Sequence, residues 1–134
     1  MQVHLPDTLC YLNGEYLPLA EAKVSVLDRG FVFGDGIYEV VPVYARKLFR
    51  FDEHMARLGR SLGKLRIANP HTREQWLERC RKLIHALAER GGATDQLVYL
   101  QVTRGVALRD HVMPLGIEPT VFMMASAMKP PSAE

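Results

Sequence analysis

Arg109 and His111 stand two residues apart in the segment VALRDHVMP at 106–114, which carries neither helical nor strand periodicity. In a locally extended backbone they project to one side while Asp110 projects to the other. A guanidinium is a permanent bidentate partner for a carboxylate, and an imidazole beside it can donate to the same group. The pair therefore suits a carboxylate clamp, and it equally suits a solvated loop. Arg57 is the second candidate. Facing a cavity it would hold a phosphate; the alternative is an exposed pair with Glu53, four residues earlier, worth ~0.3–0.5 kcal/mol. Tyr38 is the third, able either to offer its hydroxyl to a ligand or to pack with that hydroxyl satisfied.

The elements that must position these groups begin with DRGFVFGDGIYEVVPVY at 28–44. Gly30, Gly34 and Gly36 permit turns and close approaches that residues with a β-carbon resist, which predicts a loop. The β-branched and aromatic run at 37–44 then predicts a strand. On a period of two, Tyr38, Val40, Pro42 and Tyr44 share one face, and Ile37, Glu39, Val41 and Val43 the other. Tyr38 and Glu39 thus point opposite ways at the mouth of the glycine-rich stretch. Residues 48–51 are expected as a short antiparallel return, and Asp52 as the N-cap of a helix whose apolar stripe is Met55, Leu58, Leu62 and Leu65. On that helix Arg57 lies about 120° from the stripe, at the border of the core.

Elsewhere, Asn13-Gly14 between Tyr11-Leu12 and Tyr16-Leu17 predicts a hairpin. Val24-Ser25-Val26 suggests a short strand. Asn69-Pro70 ends the first helix, and Thr72 with Gln75 forms a capping-box signature for a second, at about 73–90, burying Trp76, Leu77, Cys80, Leu83, Ile84 and Leu87. Gly91-Gly92 stops it. Strands are expected at 96–103 and 119–128. The predicted class is α+β: a mainly antiparallel sheet with two helices packed on one face.

Composition sets the bounds. A chain of 134 residues, 48% hydrophobic and 24% charged, can bury one domain's core, and a net charge of +2 argues against a broad nucleic-acid surface. No apolar run approaches the ~20 residues of a bilayer span, and the N-terminus lacks the order of a secretory signal, so a cytoplasmic location without a membrane partner is expected. Cys10 and Cys80 are too few for a disulfide framework or zinc site and are expected to be reduced and buried. Gly34-Asp35-Gly36 precedes a strand rather than a helix, unlike a dinucleotide fingerprint. The histidines lack metal-ligand spacing and the serines lack a nucleophile-elbow context.

Three stretches together carry a resemblance: 28–44, the F-x-x-H-x-x-R-L pattern of Phe51, His54, Arg57 and Leu58, and QVTRG at 101–105 followed by Arg109-Asp110-His111. They resemble the N-terminal part of the fold-type IV pyridoxal-phosphate enzymes, the class-IV aminotransferases, most closely the D-amino-acid branch, over essentially the whole chain. The resemblance implies that Arg57 binds the phosphate of pyridoxal 5'-phosphate. It implies that Tyr38, Arg109 and His111 trap the substrate α-carboxylate, the last two reaching in from the partner subunit of a homodimer. The implied substrates are a D-amino acid such as D-alanine and a 2-oxo acid.

The family's catalytic lysine, which holds the cofactor as a Schiff base, belongs to a second domain. Lys23, Lys47, Lys64, Lys82 and Lys129 match no such position. The expected organisation is a small N-terminal α+β domain at 1–128 and the start of an interdomain linker at 129–134, with the lysine-bearing domain beyond this chain. Pyridoxal chemistry needs the electron sink, the protonated ring and the lysine base together, so the chain alone is expected to be inactive. The rivals are a branched-chain L-amino-acid aminotransferase or aminodeoxychorismate lyase domain, and a non-catalytic truncated dimerisation module.

Overall fold

The computed structural model describes residues 6–110, 112, 114 and 116–129. Asn13 and Gly14 both take positive φ, 49° and 95°, the two-residue turn whose twist matches antiparallel strands. They join β1 (Leu9–Leu12) to β2 (Glu15–Pro18), with Tyr11 opposite Tyr16. After a single 3-10 turn at Leu19–Glu21 come α1 (Arg29–Phe33), β3 (Gly36–Tyr44), β4 (Lys47–Leu48), α2 (Phe51–Leu65), α3 (Arg73–Gly91), β5 (Gln96–Thr103) and β6 (Thr120–Ala127).

The strands form one antiparallel sheet in the order β2-β1-β6-β5-β3-β4. Helices α2 and α3 cover one of its faces, as the α+β pattern predicts. Their stripes, Leu58 and Leu62 on α2 and Trp76, Cys80, Leu83 and Ile84 on α3, close over Val43, Val98, Leu100, Val102, Val121 and Met123 from the sheet. Thr72 and Gln75 form the full capping box, and Gly92 (φ 72°) ends α3 in the left-handed conformation. Cys10 and Cys80 are free and buried. Burial raises both thiols, Cys80 to about 12, which keeps them protonated. Among the described residues no helix is long and apolar enough to cross a membrane.

Four local expectations change. The glycine-rich stretch before β3 is not all loop, because the Asp28 side chain accepts from the Gly30 amide and caps a five-residue helix that Gly34 (φ 66°) terminates. Residues 24–26 form no strand; Val24 and Val26 are exposed, and the isolated pairing nearby is between Asp28 and Val106. The Asp28 amide donates to the Ser25 carbonyl at 3.0 Å and the Leu27 amide to Ser25 Oγ at 3.1 Å, so the chain turns there instead of extending. The return strand shrinks to β4, since Phe51 already belongs to α2. The cap of α2 is not Asp52 but Arg50 (φ 54°), which makes no side-chain cap bond, while Asp52 lies in the first turn and accepts from Arg73 Nε on α3. The left-handed exit from the β3–β4 hairpin, rather than a capping side chain, sets where α2 starts.

Candidate active site

The alternation along β3 puts Tyr38 and Glu39 on opposite faces of the sheet, as the sequence predicts. Tyr38, 65% exposed on the helix-free face, stacks on Tyr99 of β5 with ring centroids 5.8 Å apart. Glu39, 5% exposed, points into the layer of α2. β5 pairs with β3 from Gly36 to Val43, whereas β4 reaches only Val43 and Tyr44. From Gly36 to Val41 the other edge of β3 therefore faces no strand among the described residues. Tyr38 flanks this open edge from one side of the sheet and the Glu39 cluster from the other.

Arg57 meets Glu39 rather than Glu53. Its Nε donates to Glu39 Oε2 and its Nη2 to Oε1, both at 2.8 Å, while Glu53 pairs with Arg50. His54 Nδ1 lies 2.7 Å from the same Oε1. Burial pushes the Glu39 carboxyl up, but the bonds from Arg57 and His54 and their charge outweigh it and leave the group below the usual range, hence ionised. An ionised acceptor requires that Nδ1 of His54 carry its ring proton. Nη1 of Arg57, on a side chain 59% exposed, has no partner among the described residues. A phosphate offers the acceptors that such donors need.

Arg109 is exposed and lies over the Phe33 ring of α1 at 5.4 Å, on a segment tied down by its neighbours. Arg29, 7% exposed, donates through Nη1 to the Asp110 carbonyl at 3.0 Å and through Nε to Asp35 at 2.9 Å. Arg104 donates to Asp35 at 2.7 Å and to the Leu65 carbonyl at 2.6 Å, binding this corner to the end of α2. Burial raises the Asp35 carboxyl, and the bonds and charge of Arg104 and Arg29 bring it below the ordinary value. Asp28, 1% exposed, accepts from the Thr103 hydroxyl at 2.7 Å, the Thr120 hydroxyl at 2.6 Å and the Gly30 amide at 2.8 Å. A β-carbon on Gly30 would come within 2.3 Å of Thr103 Cγ2, so the helix docks on β5 only with glycine there. Beside it the helix-free face forms a groove of about 640 Å³, walled by Leu12, Phe31, Gln101, Thr103, Phe122 and Met124.

Of the sequence candidates, Tyr38 and Arg57 thus share one strand edge from opposite faces, and Arg109 sits with α1 beyond the start of β3. No hydrogen bond links these three among the described residues. His111 lies outside the described residues. The sequence assigns no supporting role to Asp28, Arg29, Asp35, Glu39 or Arg104, although it places Glu39 opposite Tyr38. Asp28 had a local signal, an acid two residues before the amide it caps. Asp35 and Arg104 are 69 positions apart, and nothing local couples them. The donors Arg57 leaves unused fit the phosphate of a phosphate-bearing cofactor. Among the described residues no three or more His, Cys, Asp or Glu side chains gather in a way that could hold a metal ion.

The model of the family Amino-transferase class IV matches residues 36–134. The D-alanine aminotransferase of Staphylococcus aureus (strain N315) is 44% identical over 112 residues, covering 83% of this chain and 38% of that protein. The solved 4-amino-4-deoxychorismate lyase of Pseudomonas aeruginosa is 28% identical with a TM-score of 0.69, covering 89% of this chain and 40% of that one. The branched-chain amino acid aminotransferase of Escherichia coli shares the fold at a TM-score of 0.79 and 22% identity, over 91% of this chain and 40% of its own. The chain spans about two fifths of the length of the curated relatives it matches.

Proposed function

The chain belongs to the class IV aminotransferase family, and from that premise we propose that it is the N-terminal α+β portion of a pyridoxal-phosphate-dependent aminotransferase acting on D-amino acids. The observation that carries the proposal is the open edge of β3, flanked by an exposed Tyr38 and by Arg57 held on a buried carboxylate. The name of the S. aureus relative supports the D-amino-acid side of it.

Pyridoxal phosphate supplies an electron sink for the substrate α-carbon when it is bound. This chain's residues bind and orient. Arg57 gives the phosphate a rigidly presented guanidinium, so little side-chain freedom is lost on binding. The Tyr38 hydroxyl donates to the substrate carboxylate from the helix-free face. Arg109, joined by His111, completes the carboxylate clamp from the partner protomer of a homodimer, and the Arg29 bond to the Asp110 carbonyl fixes the strand of backbone that carries it. On this reading the lysine that holds the cofactor would belong to a second domain beyond these residues. Residues 1–128 would then be the small domain and 129–134 the start of a linker, and the 134-residue chain alone would be inactive.

Two measurements test this. A full-length protein carrying this segment is expected to transaminate D-alanine with a 2-oxo acid only when loaded with cofactor; absence of that activity sinks the proposal. The chain alone, mixed with pyridoxal phosphate and treated with borohydride, is expected to retain no stoichiometric label on any lysine. The lyase likeness favours a second reading, an aminodeoxychorismate lyase. Replacing Arg109 separates the two: a clamp predicts a raised KM or crippled turnover with D-amino acids, and an unaffected enzyme favours the alternative.

A further inference from the structure

We propose that Glu39 is a positioning residue for anion recognition by Arg57, locking one edge of the guanidinium so that the opposite edge is presented to phosphate. This rests on the assignment of Arg57 to the cofactor phosphate and goes beyond it, because it assigns a role to a buried acid that the phosphate assignment leaves without one.

A guanidinium has five N–H donors in one plane. The bonds to Glu39 use Nε and Nη2, the side-on edge of the fork. Nη2 also lies 3.5 Å from His54 Nδ1, but that nitrogen donates to Glu39 and accepts nothing, so one Nη2 hydrogen and both Nη1 hydrogens are left over, and the parallel Nη1–H and Nη2–H pair forms the end-on edge. That edge matches two oxygens of a phosphate. Glu39 can hold Arg57 this way because it is itself held: it sits on β3 between Ile37 and Val41, is 5% exposed, and receives His54 Nδ1 on the oxygen that Nη2 also uses. A cleft of about 320 Å³ opens beside Arg57, lined also by Arg50, Glu53, His54 and Arg60. An exposed arginine without such a hold would lose most of its rotamer freedom on binding an anion.

Orientation and charge act in opposite directions here, which makes the proposal testable. Glu39 cancels the charge of Arg57, so removing it favours anion binding electrostatically and disfavours it by freeing the side chain. If positioning dominates, Glu39→Gln raises the Kd of pyridoxal phosphate about tenfold in the cofactor-free full-length protein and leaves that of pyridoxal, which has no phosphate, unchanged. Glu39→Asp, which keeps the charge but is one methylene too short to span the fork, shifts the same way and serves where the glutamine variant does not fold. In an Arg57→Met background Glu39→Gln has no further effect. In the 134-residue chain, Arg57 Nε–H gives a slowly exchanging NMR resonance that Glu39→Gln collapses.

Unchanged or tighter pyridoxal phosphate binding by the Glu39 variants overturns the proposal, as does an equal loss for pyridoxal or a loss that persists without Arg57. If Arg57→Met leaves the preference for pyridoxal phosphate over pyridoxal intact, the assignment of Arg57 to the phosphate fails instead, and the role of Glu39 in anion recognition falls with it.

Discussion

The two faces of the sheet contrast in what their side chains contact. Under α2 and α3 the strands contribute Val98, Leu100 and Val102, each fully buried, against Leu58, Leu62 and Trp76. The helix-free face carries Tyr38 and the groove beside it, with Phe31 of α1 73% exposed at its wall. One face carries the apolar core, and no helix covers the other among the described residues. Buried polar groups interrupt both faces, Gln96 and Glu39 the covered one and Asp28 the other. Glu39 enters the covered face to hold Arg57, and Asp28 is buried on the open face to hold α1 against β5 and β6. Charge is buried in this molecule where something must be held in place.

The largest test of this contrast is a pair of substitutions at the same sheet. Leu100→Ala is expected to cost ~2–5 kcal/mol in urea unfolding, while Tyr38→Phe stays within ~0.5 kcal/mol in stability and weakens substrate binding. Equal costs would erase the distinction between the faces. Asp28→Ala, which strands two threonine hydroxyls and an amide, is expected to lose ~3 kcal/mol, and a loss under ~0.5 kcal/mol would make that network incidental.

Acid titration of the unfolding midpoint separates the buried titratable groups from one another. At His71, packed between Tyr11 and Trp76, burial is the main cause that lowers the imidazole, the charge of Arg79 adds a smaller lowering, and the Pro70 carbonyl raises it by less. Its folded value lies below the unfolded ~6.5, so its contribution is complete above that pH and is lost as pH falls through the folded value. Glu39 and Asp35, also depressed in the fold, contribute fully above their unfolded values near ~4 and lose that contribution only in stronger acid. Stability should thus decline in two stages. His71→Leu flattens the first and Glu39→Gln the second, and a single stage unaffected by either change would contradict the assignment. The smallest effect is expected at Arg46 and Glu89, an exposed pair at 3.4 Å whose removal should change stability by less than ~0.5 kcal/mol.

The architecture was legible where stabilisation is local. Asn13-Gly14 specifies its hairpin because both residues tolerate positive φ, and Thr72 with Gln75 specifies the start of α3 because each side chain satisfies the other's backbone amide. Asp52 misled for the same reason that Thr72 did not: a capping residue proposes a helix start, but the hairpin before it had already turned the chain at Arg50. Helix α1 was hidden because five residues are too few for a periodic pattern and its glycines signal a turn. Arg57 could be placed at the border of the core from its angle on the helix, yet its partner could not be named from spacing, and Glu53 was the nearest acid in sequence.

By itself, then, the sequence determined the strand and helix stripes and the opposition of Tyr38 to Glu39, since caps and periodicities depend on residues within about four positions of one another. Only the tertiary structure decided which charges meet. Glu39 joins Arg57 across 18 positions, Asp35 joins Arg104 across 69, and Asp28 joins Thr103 and Thr120 across 75 and 92. Those pairings follow from strand register and helix docking, which fix distances between side chains that the chain itself leaves free.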